Sequence, residues 1–111
     1  MTTNEFLKST LAVGGFDNMQ LIRPRVVCND GFAISIQASQ FHYCSPREDG
    51  DVEYTHVELG YPSRVEESIL EYAENDTRPT KTVYGYVPIP IVDAMLTKHG
   101  GINESASGIK L

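Results

Sequence analysis

The stretch Arg25-Val26-Val27-Cys28-Asn29-Asp30-Gly31-Phe32, continuing to Ser39, constrains the fold more than any other part of the chain. Two runs rich in β-branched and apolar residues flank a turn triplet, the pattern of a β-hairpin. Loop length sets the register. A two-residue Asp30-Gly31 loop would place Val26 and Cys28 on the face of Ala33 and Ser35. A three-residue Asn29-Asp30-Gly31 loop places them with Phe32, Ile34, Ile36 and Ala38. The second register gathers the apolar side chains on one face, with Gly31 as the left-handed residue of a bulged turn. It is the expected register, and it makes Cys28 a core residue.

Around this hairpin the other elements can be read from periodicity and caps. Thr2 and Glu5 have capping-box spacing, which predicts a short helix over residues 4–13 with Gly14-Gly15 as its stop. Residues 19–22 read as an edge strand, interrupted by Pro24. Residues 52–59 read as a third strand, and Ser63 with Glu66 predicts a second capped helix up to Asn75. Residues 82–87 read as a strand with Val83, Gly85 and Val87 on one face and Tyr84 and Tyr86 on the other. Pro90 opens a last helix, with Lys98 and His99 in its final turn and Gly100 just beyond. The expected fold is therefore α+β: an antiparallel sheet of about four strands packed against two or three helices, in the order α-β-β-β-α-β-α. One domain over residues 1–102 and a loose tail over 103–111 complete the expectation.

The chain has 111 residues, 41% of them hydrophobic and 22% charged, as in an ordinary globular domain. No apolar run approaches the roughly 20 residues of a membrane helix, and residues 1–5 lack the pattern of a signal peptide. A cytoplasmic protein without membrane contact is expected. The formal net charge of −6 is unevenly distributed. Residues 48–76 hold ten acids and one base, a net −9, and the remainder holds five acids and eight bases, a net +3. Such a surface repels phosphate, so nucleic acid is not expected as a direct partner. A partner protein with a basic surface, or a second copy of the chain, is.

The chemistry-bearing residues form no familiar motif. Cys28, His42, Cys44 and His56 are the right types for zinc, but they match no metal-ligand spacing. Cys44 beside His42 is at most a hint of a thiol nucleophile. Asp49, Asp51 and Glu53 lack the ligand pattern of a calcium loop. No catalytic residue, cofactor or metal is therefore assigned. The expected partner-binding residues are Glu48, Asp49, Asp51, Glu53, Glu67, Glu71 and Glu74, with Tyr54 and Tyr61 beside them. Phe41, Tyr43, Tyr84 and Tyr86 extend the aromatic surface. The alternatives are a small zinc- or thiol-dependent enzyme and a protein that sequesters a small molecule.

The segments 25–32, Gln37-Ala38-Ser39, His42-Tyr43-Cys44-Ser45-Pro46-Arg47 and Thr82-Val83-Tyr84-Gly85-Tyr86-Val87-Pro88 resemble small accessory proteins of bacteriophages and prophages. The resemblance runs from the first strand to the last helix and brings no catalytic residues with it. It implies a protein that binds and inhibits a host protein, such as a defence nuclease, in the manner of anti-CRISPR proteins.

Overall fold

A computed structural model describes residues 1–10 and 23–109. Its elements are α1 (Thr3–Ser9), β1 (Val26–Val27), β2 (Ala33–Gln37), β3 (His56–Gly60), a 3-10 helix (Glu67–Tyr72), β4 (Val83–Pro88) and α2 (Ile89–Lys98). The four strands form one antiparallel sheet in the order β1-β2-β3-β4. This is the expected α+β architecture. The first helix ends at Ser9 with Thr10 as its C-cap; residues 11–13 of its expected span, the Gly14-Gly15 stop and the edge strand at 19–22 lie outside the described residues. No helix among the described residues is long and apolar enough to cross a membrane.

The hairpin has the three-residue loop. Val26 pairs with Ile34 and Val27 with Ala33, and the Cys28 N–H donates to Phe32 O at 2.7 Å. Gly31 takes φ 93°, where a side chain would be strained. Val26, Cys28, Ile34 and Ile36 are consequently buried together with Val57 and Leu59 of β3. Helices α1 and α2 add Phe6, Leu7, Val92, Met95 and Leu96 to the same core. Each such aliphatic side chain contributes about 1.5–3 kcal/mol when fully buried.

Helix α1 begins at the expected capping box: the Thr2 N–H donates to Glu5 Oε1 and the Glu5 N–H to Thr2 Oγ1. A helix this short needs docking to persist. Asp93 of α2 supplies it by accepting from both the N–H and the hydroxyl of Thr3, at 2.8 and 2.6 Å. Arg23 is buried and donates to the carbonyls of Leu7 and Ala38, tying the end of α1 to the end of β2.

Three expectations need correction. The helix capped by Ser63 does not form; Ser63 is committed to β2, its N–H donating to Ala33 O and its hydroxyl accepting from the Ala33 N–H. The turn that does form starts four residues later, and Glu66 caps it by accepting from the Ser68 N–H. In β4 a bulge breaks the two-residue alternation, because Val57 pairs with Val87 but Leu59 pairs with Tyr84. Tyr84 and Val87 therefore share the core face, while Val83 and Gly85 face outward. Finally, residues 103–109 are not a loose tail. The Asn103 N–H donates to Val27 O, Ser107 Oγ bonds both the N–H and the carbonyl of Val27, and Ile109 is buried.

Both margins of the sheet are covered by chain. Ile102 bridges Cys28 beyond β1, and Ala73 bridges Tyr84 beyond β4, with the Glu74 N–H donating to Val83 O.

Candidate functional site: an aromatic groove on the outer face of the sheet

Pleating sends every second side chain of the sheet away from the core. Ser35 and Gln37 of β2 and Glu58 of β3 take this outer position, with Gln37 paired to Glu58 and Ser35 to Gly60. Together with Val83 they floor a cavity of about 460 Å³. Phe41, Tyr43 and Tyr61 stand around it, and all three rings are substantially exposed. A second cavity of about 260 Å³ lies on the other side of Tyr43, bounded by Tyr72, Glu74 and Tyr86. Tyr43 is thus a wall between two hollows of one groove. Its ring lies 5.9 Å from that of Tyr86, and the Arg47 guanidinium sits 5.7 Å from its centroid.

The β4 bulge and the end of β3 position these walls. Gly85 and Tyr86 together face the single residue Glu58, the two-against-one arrangement of a bulge. The missing side chain at Gly85 leaves room for Tyr43, whose Cβ would lie 3.3 Å from an added methyl. Tyr61 and Tyr86 are the two non-glycine residues with positive φ among the described residues, each at 52°. Such a conformation is a genuine outlier for a bulky side chain. Local hydrogen bonds fix both. The Tyr61 N–H donates to Thr82 O and its carbonyl accepts from Arg25, while the Tyr86 N–H donates to Tyr43 O.

Glu58 is the carboxylate of the groove. Burial pushes its carboxyl above the ordinary value and Glu74 adds to the rise, while a hydrogen bond from the Tyr43 N–H at 3.2 Å and the Arg47 cation oppose it. Among the described residues its second oxygen, Oε2, has no hydrogen-bond partner and neither oxygen forms an ion pair.

The acidic residues do not gather into one patch. Glu48, Asp49, Asp51 and Glu53 are exposed in the segment before β3, where Asp49 accepts from Gln40 and Glu53 pairs with Lys8 at 2.7 Å. Glu67 and Glu71 are exposed on the 3-10 helix, and Glu74 lines the groove. Tyr61 is on the surface, at 50% exposure, but Tyr54 and Tyr84 are not. Tyr54 is 2% exposed and its hydroxyl donates to Glu48 O, so it braces the acidic loop from inside and cannot contact a partner.

The four thiol and imidazole candidates do not converge. Among the described residues no three His, Cys, Asp or Glu side chains are placed to hold a metal. Both cysteines are free and buried. Burial pushes the Cys28 thiol up to about 11, and raises that of Cys44, whose Sγ donates to Ser39 O. Neither is an activated nucleophile. His42 Nδ1 is bonded to Ser39 and His56 Nδ1 to Thr55.

A second cluster was not visible from the sequence. His99, just after α2, is stacked on Phe32 with centroids 4.0 Å apart. Its Nδ1 lies 2.6 Å from Asp30 Oδ2 and its Nε2 2.7 Å from Glu66 Oε1. Lys98 and Ser68 also donate to Glu66, and Arg64 to Asp30. Burial disfavours the Glu66 carboxylate, but the hydrogen bonds from Ser68, His99 and Lys98 outweigh it and hold its pKa at about 2. Both ring nitrogens of His99 are engaged and the ring is buried, so the cluster fastens the hairpin turn, the 3-10 helix and α2 together and leaves no free lone pair for catalysis. No protein family, curated protein or solved structure matches this chain.

Proposed function

We propose that this chain is a non-enzymatic accessory protein of the bacteriophage type that binds and inhibits a host protein through its acidic segment and the tyrosines beside it. The outer face of the sheet carries the reading. Phe41, Tyr43, Tyr61 and Tyr86 are exposed there around a half-buried carboxylate, where a self-contained domain would favour smaller polar side chains. The exposed acids of the net −9 segment 48–76, Glu48, Asp49 and Asp51 before β3 and Glu67, Glu71 and Glu74 on and just after the 3-10 helix, supply negative charge for a basic groove, such as one that normally holds nucleic-acid phosphate. A nucleic-acid-binding defence nuclease in the host cytoplasm is the target class that fits, an anti-CRISPR-like mode of action. The buried thiols and the engaged histidine nitrogens favour binding over catalysis.

The test is capture from a bacterial host extract by the immobilised protein at low and high salt. A discrete host protein should be retained at low salt and released as salt rises. The combined reversal Glu67→Lys, Glu71→Lys and Glu74→Lys should abolish retention without altering the circular dichroism spectrum. Undiminished retention by that variant would refute the acidic-surface mechanism.

A further inference from the structure

Resting on the docking role just proposed, we infer that the hollow between Tyr43 and Tyr61, floored by Glu58, receives an arginine side chain of the partner protein. Three features of the groove select this chemistry. Its walls are the rings of Phe41, Tyr43 and Tyr61, and aromatic faces attract a cation and stack on a planar guanidinium. Its floor offers a carboxylate with Oε2 unbonded among the described residues, the acceptor that a guanidinium N–H requires. Its volume of about 460 Å³ admits one long side chain together with water, and is too confined for a whole secondary-structure element.

The chain already shows the contact in miniature. Arg47 lies over the Tyr43 ring at the rim, so the wall accepts a guanidinium on an accessible face. The electrostatics agree: burial and Glu74 raise Glu58 and outweigh the Tyr43 N–H and the Arg47 cation that lower it, so a guanidinium bonded at Oε2 would offset a remaining penalty. Ser35 and Gln37 line the same floor but are already bonded, Gln37 to the Arg23 backbone and to the Ser35 hydroxyl, so Glu58 is the acceptor that the floor offers a guanidinium. Arginine fits better than lysine because a planar guanidinium can lie on a tyrosine face and still direct N–H groups at the floor, which a compact ammonium cannot.

The experiment is an amide NMR titration of the labelled protein with the peptide acetyl-Gly-Arg-Gly-amide. The same peptide carrying citrulline, a neutral near-isostere of arginine, serves as the comparison. The arginine peptide should shift the amides of Tyr43, Glu58, Tyr61, Gly85 and Tyr86 in a saturable manner, and the citrulline peptide should bind at least tenfold more weakly. Glu58→Gln should weaken arginine binding at least tenfold while leaving amide shifts elsewhere in the sheet in place. Equal binding of the two peptides, shifts centred outside the groove, or no saturable shift with arginine would each overturn the proposal. The host-protein capture separates the two readings. If Glu58→Gln still captures the host protein while the Glu67, Glu71 and Glu74 reversal does not, the docking surface stands and the arginine pocket falls.

Discussion

Tyr61 and Tyr86 hold the groove open in a backbone conformation that costs stability, and replacing either one should expose that cost. At φ 52° a residue with a Cβ pays about 1–2 kcal/mol that glycine does not. Glycine in turn loses roughly 0.5–1 kcal/mol through the greater freedom of its unfolded chain. The ring is absent from both Tyr86→Ala and Tyr86→Gly, so its lost packing cancels when the two variants are compared. Glycine should therefore be more stable than alanine by about 0.5–1 kcal/mol, the reverse of their usual order in a strand. For a domain of this size that corresponds to a Tm higher by about 2–6 °C. The Tyr61 pair should behave alike, since its N–H and carbonyl are both tied to neighbouring chain. Thermal unfolding followed by circular dichroism reads the difference directly. Alanine variants at or above the glycine variants would show that neither backbone is strained, and would remove the argument that the fold gives up stability to present these rings.

Glu66→Gln removes a carboxylate held at about 2 against an ordinary 4.5. Its contribution is complete above pH 4.5 and disappears as pH falls through 2, so the variant should lose about 3 kcal/mol at neutral pH and the gap to the wild type should close in acid, read by urea unfolding across that range. Cys28 and Cys44 should resist alkylation at pH 8 in the folded protein and react together once it is unfolded; labelling of either in the native state would contradict their burial. Gly85→Ala puts a methyl 3.3 Å from the Cβ of Tyr43, so it should weaken arginine-peptide binding with the sheet intact, and unchanged binding would mean that Tyr43 is not a wall of the site.

The parts of this fold that were legible share a local cause. The hairpin register followed from one glycine and the alternation around it, the first helix from its capping box, and the last from Pro90 and the Lys98-His99-Gly100 stop. The middle helix was misread because Ser63 and Glu66 have the right spacing for a cap but are claimed by residues far along the chain, Ala33 for one and His99 and Lys98 for the other. The same distance hides the Asp30–His99–Glu66 cluster, whose three members come from three separate elements. In β4, alternation puts Tyr84 and Tyr86 on one face, and a bulge parts them at Gly85, the strand-interior glycine that was its one local signal. Of the candidate site, the charge and the exposed tyrosines could be read early. Glu58 could have been singled out as the residue between Val57 and Leu59, but its solitary place among aromatic rings depends on Phe41 and Tyr43 folding back over the sheet.

The covered margins of the sheet limit how anything can associate with this protein. Residues 102–107 lie along β1 and residues 73–74 along the start of β4, so among the described residues an incoming strand, whether from a partner or from a second copy, would meet backbone that is already paired at those stretches. Contacts made over those stretches would be by side chains, which are sensitive to single substitutions in a way that main-chain pairing is not. Two copies meeting outer face to outer face would also bring Glu58 and Glu74 against their own duplicates. The approach of those like charges would oppose self-association through that face.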